Sequence, residues 1–318
     1  MLNILIIIAQ GQIFDTNYIK NYNLGDKPIN SIWIHYYHLK QYLIKKNINF
    51  FPINLNNKFD LDYICDLNFD YCICIFNDIN GYNKSGDNFI ILNEIKQKIR
   101  CKFYLLTEVL NETNYNLLIK YFEQIFTNRD SHFKNTFSLG FSANEELLYP
   151  KKNKKFIRIL IDHTAYNNKH FHYKDKTKFI ITSLFDYTFD KKIIIRRFIN
   201  GGIETVENKN INLEIYNRHG INILDAYNEY NRANIFFVTH PESMGMSVIE
   251  SSMAGCLIVA PKNYIKPEFL RDLNYVEYDD KLDFKLILDK INPKLSRKLA
   301  LNKTWDCFYD QMIQKINY

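Results

Sequence analysis

The chain has 318 residues, long for a single hydrophobic core and suited to two domains. Hydrophobic residues make up 47% and charged residues 24%, the balance of a soluble globular protein. Lys and Arg exceed Asp and Glu by 41 to 35, and the resulting +6 is spread along the chain. That is too mild to argue for nucleic-acid binding, although it favours attraction of an anionic nucleotide. The six cysteines, at 65, 72, 74, 101, 256 and 307, show no metal-ligand spacing, so reduced thiols in a cytoplasmic compartment are expected.

The apolar run Leu2–Ile8 is too short to cross a bilayer and has no basic flank before it, so it reads as a first buried strand over Ile4–Ile8. Ile32, Tyr36, Leu39 and Leu43 then recur at helical spacing, closed by Lys45-Lys46-Asn47. Strands are predicted at Asn49–Ile53, Tyr71–Phe76, Lys102–Thr107 and Gln124–Thr127, with helices at Phe89–Ile99 and Asn114–Phe122. His35 and His38, on the first helix, read as surface or hydrogen-bonded residues. The polar run Lys151–Lys155 reads as a solvated linker, dividing the chain into domains 1–150 and 151–318.

Beyond it, strands are predicted at Phe156–Ile161, Lys192–Phe198 and Ile211–Tyr216, and helices at Lys176–Tyr187 and Ile221–Asn231. Trp305, Phe308, Tyr309, Met312 and Ile316 form an apolar stripe on a last helix. Strand and helix alternate throughout, the pattern of parallel sheets wrapped by helices, and no internal repeat interrupts it.

The most informative stretch is Thr239–Gly255. The apolar strand Ile235–Val238 leads into the polar loop His240-Pro241-Glu242-Ser243-Met244-Gly245, then a helix closed by Gly255, then the strand Cys256–Ala260. Ile249, Ser252 and Met253 share the core-facing side of that helix. Glu250 shares a face with Met246 and Ser247 and is expected to point off the core. Gly245 permits close backbone approach, and the free first-turn amides with the positive end of the helix dipole suit a diphosphate. Glu242 and Glu250 flank that anion site, and carboxylates repel phosphate, so their partners are hydroxyl groups. A nucleotide-sugar carries hydroxyls on both sides of its diphosphate.

Glu242 and Glu250, with seven residues between them, the small-residue ending Met253-Ala254-Gly255 and a buried strand after it, resemble the nucleotide-sugar motif of GT-B-type glycosyltransferases, the retaining ones above all. The resemblance implies two Rossmann-like domains facing a central cleft, with the last helix crossing back to the first domain. It gives Glu250 the ribose hydroxyls, Glu242 the transferred sugar, and the amides of Met244, Gly245, Met246 and Ser247 the diphosphate. Tyr216-Asn217-Arg218-His219-Gly220 resembles the loop over the base, and Phe137–Phe141 with Glu146–Pro150 the segment that closes the first domain. The resemblance is specific from about Ile211 to Pro261 and topological elsewhere.

Basic residues that could meet the diphosphate are Arg218 and His219, with His163 and the strand-end pair Arg196 and Arg197; each has an ordinary surface role as its alternative. Gln10-Gly11-Gln12, after the first strand, sits where an acceptor or the diphosphate would be received, or is a plain turn; the dinucleotide glycine fingerprint is missing there. Asp60-Leu61-Asp62 spells a metal-binding pair but sits at a helix start, where capping explains it. No Ser/His/Asp triad or zinc site is apparent.

The expected function is therefore sugar transfer from a nucleoside-diphosphate-sugar to a hydroxyl acceptor, retaining and without a metal or other cofactor. Two alternatives stay open: transfer to modified bases of viral or phage DNA, and a non-catalytic nucleotide-sugar-binding scaffold. Retention of both glutamates argues against the scaffold, which needs neither.

Overall fold

Runs such as Ile4–Ile8 and Leu257–Pro261 are apolar at every position, which suits strands buried on both faces of a parallel sheet. A computed structural model of the protein describes residues 2–9, 16–24, 26, 31–55, 61–76, 87–108, 110, 112–129, 131–152, 155–161, 171–199, 207–208, 211–217, 223–239, 245–265 and 272–317. The chain forms two compact units, Met1–Gly140 with Trp305–Tyr318, and Phe141–Thr304.

The first unit contains β1 (Asn3–Ile8), α1 (Thr16–Asn21), α2 (Ser31–Lys45), β2 (Asn49–Asn54), α3 (Leu61–Cys65), β3 (Tyr71–Ile75), α4 (Asp87–Lys98), β4 (Lys102–Thr107), α5 (Glu112–Leu118), β5 (Gln124–Thr127) and β6 (Thr136–Ser138). Its strands are all parallel, in the order β2-β1-β3-β4-β5-β6. One side of the sheet packs Leu5, Ile7, Cys72, Cys74, Phe103 and Leu105 against Leu92 and Ile95 of α4. Ile32, Tyr36, Leu39 and Leu43 are buried, as their helical spacing requires. All six cysteines of the chain are free thiols.

The second unit contains β7 (Phe156–Ile161), α6 (Phe171–Asp186), β8 (Lys192–Ile199), β9 (Glu207–Asn208), β10 (Ile211–Asn217), α7 (Ile223–Arg232), β11 (Ile235–Phe237), α8 (Met246–Met253), β12 (Leu257–Pro261), β13 (Tyr275–Tyr278), α9 (Phe284–Asp289) and α10 (Pro293–Ala300). The last helix, α11 (Trp305–Ile316), belongs to the first unit. The second sheet runs β13-β12-β11-β7-β8-β10-β9, parallel except for the β9–β10 pair. Without the short β9, this is the doubly wound strand order in which the first strand is flanked by the second and the fourth.

Three expectations are corrected. The units divide after Gly140, and the Lys151–Lys155 run is not simply a solvated linker. The Lys152 ammonium donates to the carbonyls of Ala233 and Tyr230 (3.2 Å to the latter), and burial lowers its pKa. Of the two alternatives for His35 and His38, the surface one falls: both are buried, and His35 Nε2 meets Asn128 Oδ1 at 3.0 Å, the hydrogen-bonded alternative. Helix α6 begins at Phe171, ahead of the expected Lys176, and β13, α9 and α10 went unread, although Asp283 and Asn292-Pro293 are helix-start signals: each side chain accepts a first-turn amide, at 3.0 and 3.1 Å.

Gly255 shows why α8 must end where it does. Its φ of +86° is left-handed, and a Cβ there would lie 2.7 Å from Pro150 Cγ and 3.0 Å from the Pro293 carbonyl oxygen. Gly255→Ala is therefore expected to destabilise the fold by about 2–4 kcal/mol, the sum of left-handed strain and overpacking. Urea denaturation checks this through a lowered midpoint at unchanged slope.

Candidate functional site

In an open parallel sheet, ligands bind beyond the carboxyl ends of the strands, where neighbouring connections run in opposite directions. In the second unit that point lies between β7 and β11. From β7 the chain winds outward through α6 to β8 and β10, returns through α7 to β11 on the other side, and continues through α8 to β12. Ile161 and Phe237, the last residues of β7 and β11, are in register. The sequence places His163 after one and the Glu242 loop after the other.

Helix α8 begins at this edge. Its N-cap, Gly245, has extended backbone (φ −64°, ψ 154°) and brings no side-chain oxygen to the first-turn amides, which Ser, Thr or Asp would supply in an ordinary helix. Met246 and Ser247 are partly exposed, whereas Val248 to Met253 are all buried. The open first turn is thus the polar, approachable end of an otherwise enclosed helix, with the positive end of its dipole directed there.

Ile249, Ser252 and Met253 are completely buried, as their shared face demands. Glu250 is only 7% exposed, because α8 is covered by α7 and α10 as well as by β12. A carboxylate held at that depth has lost most of its hydration and must be met by polar groups. Thr239, two residues beyond the end of β11, is fully buried, and its hydroxyl has no hydrogen-bond partner among the described residues. Nothing but its place beside the motif marks it in the sequence.

The far end of α8 is tightly fastened. Gly255 N–H donates to the Ser252 carbonyl (2.8 Å) and Cys256 N–H to the Ser251 carbonyl (2.9 Å), a Schellman turn that sends the chain directly into β12. The Arg297 guanidinium, from α10, donates to the carbonyls of Met253 (3.1 Å), Glu145 (2.8 Å) and Leu148. Ser252 Oγ donates to the Ser296 carbonyl at 3.4 Å. These contacts set the axial position of α8, and with it the position of Glu250 and the first-turn amides.

Of the residues singled out in the sequence, the structure brings Gly245, Met246, Ser247 and Glu250 together on α8. Glu242, Met244, Arg218, His219, His163 and Gly11 lie outside the described residues; Arg196 lies in β8, with its side chain outside them too. Asp60 is likewise outside, although α3 begins at Leu61. Among the described residues, no group of three or more His, Cys, Asp or Glu side chains could hold a metal ion, and no helix is long and apolar enough to cross a membrane.

No family model and no curated protein matches the chain. Solved structures do. An alpha-glucosyltransferase in complex with UDP and a 13-mer DNA containing a central A:G mismatch superposes with a TM-score of 0.57 at 14% identity, over 98% of this chain and 99% of the other. A putative UDP-N-acetylglucosamine 2-epimerase from Listeria monocytogenes gives 0.54 at 11% identity, over 98% and 94%. An E. coli structure described as trehalose-6-phosphate bound with UDP-2-fluoro glucose gives 0.54 at 7% identity, over 98% of both chains. The likeness is one of fold: two Rossmann-like units, the architecture of GT-B glycosyltransferases.

Arg297→Met is expected to lower stability by about 2–3 kcal/mol, since three backbone carbonyls lose a charged donor. Arg297→Lys should recover less than half of that, because an ammonium does not reproduce the forked geometry. Chemical denaturation of the two variants side by side checks both statements.

Proposed function

We propose that this protein is a glycosyltransferase that moves a sugar from a nucleoside-diphosphate-sugar to a hydroxyl acceptor, with retention of configuration and without a metal. The observation that carries this reading is the uncapped N-terminus of α8, at the carboxyl edge of the second sheet, with Glu250 one turn inside it. A phosphate group fits amides that no side chain caps, and a buried carboxylate one turn further suits neutral hydroxyls. The fold, shared with structures that hold UDP or a UDP-sugar, supports the same ligand class.

In this reading the amides of Gly245, Met246 and Ser247, with Met244, receive the diphosphate, Glu250 accepts hydrogen bonds from the ribose hydroxyls, and Glu242 accepts them from the sugar. Arg218, His219, His163 and Arg196 supply positive charge. The acceptor oxygen attacks the anomeric carbon on the face that the diphosphate leaves. The bond from that carbon to the diphosphate breaks, and the acceptor proton passes to a departing phosphate oxygen. Fixed amides and basic side chains stabilise the charge that develops there.

The acceptor has a second reading, a hydroxyl-bearing base in DNA, favoured by the neighbour solved with a DNA duplex. A scaffold that binds nucleotide-sugar without turnover, and an epimerase like the Listeria neighbour, are the outcomes to test against.

Incubation with UDP-, GDP-, ADP- and CMP-sugars, followed by thermal stabilisation and product analysis, should find one donor that stabilises the protein and is slowly hydrolysed. Adding duplexes with hydroxyl-bearing modified bases and simple glycans should then yield a transfer product from one acceptor class. Recovery of the donor as its 2-epimer would assign the other chemistry. Glu250→Ala should weaken binding of the free nucleoside diphosphate at least tenfold by calorimetry, about 1.5–3 kcal/mol for each hydrogen bond to a charged acceptor; unchanged affinity removes Glu250 from the ribose.

Stereochemistry tests the mechanism separately. An α-linked donor should give an α-linked first product by proton NMR, and a β-linked one would call for a general base beside the acceptor.

A further inference from the structure

Helix α11 returns to the first unit and packs against α2, and a pair of buried histidines lies where the two helices meet. His35 is 2% exposed and His38 4%. The His38 ring stacks on Trp305 with centroids 4.5 Å apart and planes 11° from parallel. His35 meets Trp305 edge-on at 4.9 Å and Phe308 at 5.6 Å.

The hydrogen bonds fix where protons sit. Asn128 Nδ2 donates to the Gly140 carbonyl (2.8 Å), so Asn128 Oδ1 is the atom that faces His35 Nε2 at 3.0 Å, and it accepts. His35 Nε2 therefore carries the hydrogen and Nδ1 carries the lone pair. That Nδ1, together with His38 Nε2 and Trp305 Nε1, is buried without a hydrogen-bond partner.

The surrounding charges are engaged elsewhere. On α11, Asp306 pairs with Lys45, and Asp310 with Lys46 (2.9 Å) and the Tyr42 hydroxyl (2.7 Å), at the exposed rim. Tyr309 donates to the His35 carbonyl at 2.7 Å. On α2, Lys40 is turned to the carbonyls of Lys20 and Tyr22, and Tyr37 lies edge-on to His38 at 5.0 Å. The residue facing His35 from the end of β5 is the neutral Asn128. Among the described residues, no carboxylate is hydrogen-bonded or ion-paired to either imidazole. A proton added to this pair is a buried cation without a counter-charge, and water can solvate it only when the helices part.

We propose that His35 and His38 form an acid-sensitive latch, whose protonation releases the C-terminal helix α11 from α2. Burial lowers the His35 pKa from 6.5 to about 4, against a small upward pull from Asn128, and burial with the charge of His35 lowers His38 well below its ordinary value. Protonation thus favours the open state. The latch is fully closed above about pH 6.5 and weakens as pH falls toward 4. Burial alone would raise the Asp310 pKa, but hydrogen bonds from Lys46 and Tyr42 outweigh it and hold it below the ordinary value. Trp305 directly follows Thr304, the last residue of the second unit.

Hydrogen–deuterium exchange of the full chain, read by mass spectrometry at pH 7 and pH 5 and corrected for the intrinsic rate, tests the latch. Opening at 305–316 should increase about 20-fold from His35 alone, with β3 and β4 still protected. Unchanged protection of 305–316, or its loss together with β3 and β4, would overturn the proposal. The double variant H35Q/H38F should abolish the pH dependence, and a wild-type response in it would also overturn the proposal. If that variant does not fold, the wild-type profile decides alone.

Discussion

Helix α8 is only eight residues long and its last six are buried, so the carbonyls at its C-terminus cannot rely on water. Much of the second unit follows from how they are satisfied. A glycine in left-handed backbone returns two amides to the Ser251 and Ser252 carbonyls, and an arginine from α10 reaches the Met253 carbonyl. The same guanidinium holds the carbonyls of Glu145 and Leu148. One side chain thus ties the first segment of the unit to its motif helix. Loss of that tie would leave buried carbonyls on both, which is why the interaction exceeds a surface contact in weight.

This way of ending helices recurs. Lys40 donates to the carbonyls of Lys20 and Tyr22 at the end of α1, and Lys152 to those of Tyr230 and Ala233 at the end of α7. In each case a cation distant in sequence meets the negative end of a helix dipole. Part of the chain's excess positive charge therefore serves the fold and is withdrawn from ligand attraction.

The two ends of α8 have opposite requirements. Its C-terminus is closed by the protein itself, whereas its N-cap is a glycine that brings no side-chain oxygen to the first-turn amides. A rigid far end lets the open end present fixed amides, and fixed dipoles need little reorganisation when an anion arrives. The first unit uses buried polarity differently. There two imidazoles lie among aromatic rings, where neutrality costs little and charge costs much, so that site senses protons instead of binding an anion.

Local pattern was enough for most of the architecture. Uninterrupted apolar runs of four to six residues, too short for helices and bounded by turn residues, suit central parallel strands, and the stripe Trp305–Ile316 suits a helix with one apolar face. Gly255, Glu250 and the two flanking strands were legible for the same reason: turn, helix phase and strand are decided within a few residues. The depth at which Glu250 is held was not. Helix phase tells which residues share a face, but how far that face is enclosed depends on α10, about forty residues further along the chain. Lys152 was misread on the same account, since a polar residue looks exposed until its partners Tyr230 and Ala233 are brought to it. Sequence by itself determined the periodicity, the turns and the motif spacing, which are local properties of the chain. Only the tertiary structure decided burial and polar partners, because those depend on segments that approach through folding and leave no periodic trace.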